Sequence, residues 1–203
     1  MANTSLYDQM LADVVELTKR PDLTGETAVA LRTATLSVHS GAAFPRDLFT
    51  AVVKIPNPSY LLSVDVQSVT PRLRGLSTVR LLDSNYAPME QPEITVTELD
   101  DITDSYWNTP KQDVAYVAGT NINVRASIPA YGVLMTYFQL PKVRPEEYNS
   151  WIAQISPDAI VYFAASIVYG TTGNEEKSAN YMRFYEKTLK PDLISNFLTS
   201  AMR

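Results

Sequence analysis

Residues 113–126 read Asp-Val-Ala-Tyr-Val-Ala-Gly-Thr-Asn-Ile-Asn-Val-Arg-Ala. Two strand-forming runs flank Ala118-Gly119-Thr120-Asn121, and Gly119 reaches positive φ without a side-chain clash, so the stretch reads as a β-hairpin. Strand signals continue on both sides of it. Upstream, Leu62, Val64 and Val66 alternate with Ser63, Asp65 and Gln67, the pattern of a half-buried strand with one wet face. Residues 74–82 repeat it, with Val79 and Leu81 opposed by Thr78 and Arg80, and Ile94 and Val96 open a third run. Downstream, residues 133–140 are almost continuously apolar and aromatic, as in a strand covered on both faces. Prolines 45, 56, 58, 71, 88, 92, 110, 129 and 141 are expected at strand ends and loops, because proline cannot donate to a ladder.

On either side of this region the period changes to that of helices. Leu6, Met10, Val14 and Leu17 form a stripe along residues 5–20, widened by Leu11 and Val15, and Pro21 stops it. Asp22 or Thr24 can cap a second helix with Ala28, Leu31, Thr35 and Val38 inward, ending at Ser40-Gly41. After the strands, Pro145 with Glu146 and Glu147 is a helix entry, with Trp151, Ile152 and Ile155 facing inward. Ser156-Pro157-Asp158 restarts a helix along Ile160, Phe163, Ala164 and Ile167, and Gly170 ends it. A last helix runs from Asn174 towards Leu198, kinked or divided at Pro191. The expectation is an α+β fold: an N-terminal helical hairpin (1–42), a central antiparallel β insertion (43–142), and C-terminal helices (143–203) completing one bundle with the first.

Composition narrows the function. The chain has 203 residues with 45% hydrophobic and 19% charged, enough to bury roughly 70% of its unfolded surface in one full core or two small ones. It has no cysteine, which excludes disulfides, thiolate metal sites and cysteine nucleophiles. With 22 acidic and 17 basic residues, the formal charge of −5 speaks against a surface that grips phosphates broadly. No run approaches the ~20 apolar residues of a membrane span. Asp8, Asp13 and Glu16 interrupt residues 1–20 where a signal peptide is apolar, so a cytosolic place of synthesis is expected.

Chemistry-bearing motifs are sparse. His39 is the single histidine; it sits between Ser37 and Ser40 without a nucleophile elbow and reads as a helix-end side chain near the negative dipole end. Gly170-Thr171-Thr172-Gly173 lacks the lysine and preceding strand of a phosphate loop and reads as a helix–helix turn. The densest ionic feature is Glu90, Glu93, Glu98, Asp100, Asp101 and Asp104, with no Lys or Arg among residues 90–104. The spacing is not that of a calcium loop, so these acids read as a solvated loop or as a surface that repels phosphate or meets a basic partner. No metal or cofactor is expected. Tyr106, Trp107, Tyr148, Trp151, Tyr162, Tyr169, Tyr181 and Tyr185 belong to an aromatic set that suits both a core and subunit contacts.

Several strings, read together, form one pattern: Arg20-Pro21-Asp22-Leu23, Glu26-Thr27-Ala28, Ala34-Thr35-Leu36 with His39, and Phe44 followed by Arg46-Asp47-Leu48-Phe49. Asp113–Gly119, Ile122–Arg125, Tyr148 with Ser150-Trp151-Ile152, and Pro157–Ile160 extend it over roughly residues 5–190. This pattern resembles the head-to-tail adaptor proteins of short-tailed bacteriophages. The resemblance implies a helical bundle carrying a β domain, without catalysis. Identical subunits would form a ring matching the portal's twelve-fold symmetry, docked between the portal protein and the tail nozzle or tube. The packaged genome DNA would pass through without specific binding, and the protein would reside in the virion after assembly in the host bacterial cytoplasm. On this reading the acids of residues 90–104 face the channel or a partner, and Tyr106, Trp107, Phe197, Met202 and Arg203 serve subunit or portal contacts. The short segment 197–203 departs from adaptors that reach the portal through a longer tail. A tail terminator or neck protein, a cytosolic binding module and, last, a hydrolase are the rival readings.

Overall fold

A computed structural model describes residues 5–99, 103–104 and 109–198. The chain divides into two units: residues 1–47 with 140–203, and residues 48–139. The division falls at Asp47/Leu48 and Gln139/Leu140, a few residues inside the limits read from the sequence. Residues 43–47 belong to the helical unit because Phe44 is buried in its core and Asp47 is tied to His39.

In the helical unit, α1 (Leu6–Thr18) is capped by Ser5, whose Oγ accepts the Asp8 amide, and ends at Lys19 in the left-handed conformation. α2 (Thr24–Ser40) buries Thr27, Ala30, Leu31, Ala34, Thr35, Val38 and His39. Its expected side-chain cap is not formed, since Asp22 is held instead by the Arg20 guanidinium and the Thr24 hydroxyl donates to the Pro21 carbonyl. Pro145–Glu147 makes only a 3₁₀ turn, and the helix expected there starts later as α4 (Trp151–Ile155; α3, Val66–Val69, lies in the β unit), where Ser150 supplies the cap. That short helix leaves Ile155 exposed, contrary to the inward reading. α5 (Pro157–Thr171) enters on proline without a cap from Ser156, and buries Ala159, Ile160, Val161, Ala164, Ala165 and Val168. The last helical run divides as α6 (Glu175–Phe184), a π turn (Tyr185–Leu189) and α7 (Lys190–Leu198). The wide turn ends two residues before Pro191, whose missing N–H and bulky ring do not fit a regular ladder. Helices from both chain ends line one core, from Met10 and Leu31 to Ile160 and Leu193, so the termini build a single helical body.

In the other unit, β1 (Leu48–Asp65) is followed by a turn of helix, α3 (Val66–Val69), capped by the Asp65 carboxylate. Val66 is therefore helical instead of continuing the strand. β2 (Leu73–Leu82), β3 (Thr95–Val96), β4 (Thr103–Asp104), β5 (Thr109–Pro110), β6 (Val114–Ala118) and β7 (Asn121–Gln139) complete it. The β6–β7 hairpin pairs Ala118 with Asn121 and turns on Gly119 at φ 60°. β7 is the axis of the sheet: β1 runs antiparallel along one edge, and β6 and then β2 occupy the other. β3 adds to β6 in parallel, so the sheet is mixed and not purely antiparallel. β1 and β7 continue through Pro56, Pro58 and Pro129, unlike the expectation for proline. The β1–β7 register shifts between Lys54 and Leu61, and the three prolines fall where rungs are missing. Over 133–139 one face of β7 is buried and the other only half covered. Leu62, Val64, Val79, Leu81, Val124, Val133 and Met135 fill a second core that shares no residue with the first.

Candidate functional site

Of the six acids singled out, Glu90, Glu93 and Glu98 are exposed, while Asp100 and Asp101 lie outside the described residues. Asp104 is placed by its backbone in the two-residue ladder of β4 with β5. Glu90 and Glu93 share a cleft of about 590 Å³ with Ser77, Thr78, Arg80, Met89 and Thr95. The β2 face forms its floor: Val79 bridges Ile94, and the Met89 amide donates to the Leu81 carbonyl at 2.9 Å. Glu98 does not line this cleft. Two carboxylates and one guanidinium among its lining make this a polar, mixed-charge groove. Among the described residues no three acidic or histidine side chains converge to hold a metal.

Of the proposed contact residues, Tyr106, Trp107, Met202 and Arg203 lie outside the described residues. Phe197 is engaged within its own chain. Its ring lies 5.2 Å from that of Trp151, and the Arg46 guanidinium sits over both rings at 5.4 and 5.6 Å. Much of the aromatic set is likewise paired internally. Tyr169 stacks on Tyr181 at 5.4 Å, Tyr162 meets Phe184 at 4.8 Å, and Phe163 stacks on Tyr185 at 4.9 Å.

The constellation that sequence reading missed surrounds His39. Helix α2 delivers the imidazole into the core at 1% exposure, beside Asp47, which ends the 3₁₀ turn Pro45–Asp47. His39 Nδ1 lies 3.1 Å from both Asp47 oxygens, and Nε2 lies 2.9 Å from Ser150 Oγ. The Trp151 indole N–H donates to Asp47 Oδ1 at 2.7 Å, and the Ala153 amide donates to Ser150 Oγ at 3.1 Å. Alongside, the Tyr148 hydroxyl bonds Thr35 Oγ1 at 2.8 Å. Burial raises the Tyr148 phenol above its ordinary range, only partly offset by its bonds to Thr35 and Ser150.

Ser150, His39 and Asp47 thus repeat the connectivity of a hydrolytic triad. Their surroundings differ. Ser150 has no accessible surface, and its oxygen is committed as the cap of α4, so no substrate carbonyl can approach it in this conformation. What the arrangement does is hold α2, the end of the 3₁₀ turn and the start of α4 together through a buried polar network with every member partnered.

Comparison with known proteins finds no matching family model and no matching curated protein. The assignment of function therefore rests on the residues themselves. No helix among the described residues is long and apolar enough to cross a membrane.

Proposed function

We propose that this chain is a subunit of a head-to-tail adaptor ring of a short-tailed bacteriophage, a non-catalytic virion protein seated between portal and tail. The observation that carries the reading is the architecture. The two chain ends build one helical body, and a β unit of residues 48–139 is inserted between them, the layout implied by the sequence resemblance. The burial of Ser150 supports a structural role for the Ser150–His39–Asp47 network among the described residues. The exposed acids Glu90, Glu93 and Glu98 suit a wall past which DNA slides, because like charge gives the phosphates nothing to bind.

The deciding experiment mixes the protein with its cognate portal and images the product by electron microscopy. A closed ring of twelve copies on one portal face is expected. Absence of any portal complex, with the monomer binding a small molecule instead, would replace this reading by that of a binding module. A second arm replaces Glu90, Glu93, Glu98, Asp100, Asp101 and Asp104 by their amides. Ring assembly should survive while DNA ejection slows; unchanged ejection would remove the channel role from these acids.

A further inference from the structure

β1 is the long strand that, among the described residues, is paired on one edge only. β7 is paired on both sides, β6 carries β3, and the outer side of β2 is bridged at Leu82–Pro88 and Val79–Ile94. Residues 48–53 of β1 read Leu-Phe-Thr-Ala-Val-Val, with no charge, proline or glycine, and the run ends at Lys54 and Pro56. Leu48, Phe49 and Val52 are 37%, 45% and 50% exposed. An uncharged, proline-free edge of this kind is a template for another strand, and natural sheets ordinarily guard against it with charge or proline. The free N–H and C=O groups of such an edge ask for an extended polypeptide.

We propose that residues 48–54 pair antiparallel with the same residues of a second copy of this chain, about a two-fold axis at Ala51. Leu48, Thr50, Val52 and Lys54 lie on the outer face of the strand, while Ala51 and Val53 pack towards the core with Phe49 on the same side. Centring on Ala51 keeps the faces matched and uses all seven residues. It sets Phe49 against Val53, Thr50 against Val52 and Leu48 against Lys54. An aromatic ring meets a β-branched neighbour, and no like charges oppose each other. Moving the centre to Val52 brings Pro56 opposite Leu48. Moving it to Thr50 shortens the pairing to residues 48–52 and sets Val53 opposite Asp47, which is buried against His39. The strand is therefore self-complementary over its full uncharged length in one register, which is what an isologous contact needs and what an unrelated peptide would match only by chance. This pairing rests on the open edge alone and belongs to the free chain, because neighbours in a ring of twelve meet head to tail and not about a two-fold axis; a failed ring would leave it intact, and its failure would leave the ring untouched.

The chain's lack of cysteine makes the test clean. Directly opposed Cα atoms in an antiparallel pair are about 4.5–5.5 Å apart, within disulfide range. Mild oxidation should convert Ala51→Cys to a covalent dimer. Thr50→Cys should cross-link efficiently only when mixed with Val52→Cys, and Ser63→Cys, beyond the prolines, should stay monomeric. Independently of thiols, sedimentation should show a reversible dimer of the native chain, weakened at least about tenfold by Val52→Lys with unchanged circular dichroism. A native chain that sediments as a monomer at sub-millimolar concentration overturns the proposal. So does an Ala51→Cys variant that cross-links no faster than Ser63→Cys, or as readily to an unrelated thiol-bearing extended peptide as to itself.

Discussion

Asp47 receives both the His39 imidazole, eight residues away, and the Trp151 indole N–H, 104 residues away. Replacing it by alanine strands two polar groups where water does not reach, so Asp47→Ala should cost roughly 3 kcal/mol. Asp47→Asn keeps an acceptor oxygen and should cost about half as much. Urea midpoints at constant slope measure both, and a loss below about 0.5 kcal/mol would make the network incidental. Tyr148 adds a pH signature. Its phenol is raised in the folded state, so the stability linked to it is complete below the unfolded value near 10 and is lost as pH rises through the folded one. Tyr148→Phe should therefore lose thermal stability less steeply as pH rises above about 10, at a cost of about 1 kcal/mol at neutral pH from the lost Thr35 bond. Tyr7 and Tyr185, raised by burial in the same direction, keep part of the alkaline slope in that variant. The sequence shows His39 as a helix-end residue, and that placement is right. Its partners were not legible because Ser150 is 111 residues distant, and no local pattern encodes a contact of that range.

Among the elements, helices with a continuous apolar stripe were readable: α1, α2 and α5 lie within a few residues of where the spacing of four and three puts them. The β6–β7 hairpin was legible for a different reason, its glycine turn. The long strands were not. Pro56, Pro58 and Pro129 look like punctuation, yet β1 and β7 run through them because the ladder omits rungs there. What joins the two strands on the far side of that gap is Gly132. A β-carbon on it would lie 2.1 Å from the Val53 carbonyl oxygen and 3.1 Å from Lys54 Cα, both backbone atoms that cannot turn away. Gly132→Ala must then pry β1 from β7 and should cost about 3 kcal/mol or more. Gly25, in the first turn of α2, has nothing within 4 Å of such a carbon, and Gly25→Ala should stabilise by about 0.5–1 kcal/mol. Denaturation midpoints that shift equally for the two variants would contradict the close approach at Gly132.

At the scale of the whole chain the decisive fact is that two hydrophobic clusters share no residue and belong to units of different composition. Residues 51–140 hold nine acidic and six basic side chains, −3 of the formal −5, so most of the excess charge is carried by the β unit. The change of period from helix to strand and back made this division visible in sequence. The limits near residues 47 and 139 were less so, because they depend on where Phe44 and Asp47 are buried. Separate cores imply separable losses. Leu31, fully buried among α1, α2 and α5, and Met135, fully buried in the sheet, are equivalent probes. Each substitution by alanine should remove roughly 2–5 kcal/mol. Amide hydrogen exchange should accelerate over residues 24–40 and 157–171 for Leu31→Ala, leaving 73–82 and 121–139 protected, and the reverse should hold for Met135→Ala. Equal acceleration in both regions for either variant would mean that the two cores unfold as one cooperative body. In that event the insertion would no longer count as a unit with a stability of its own.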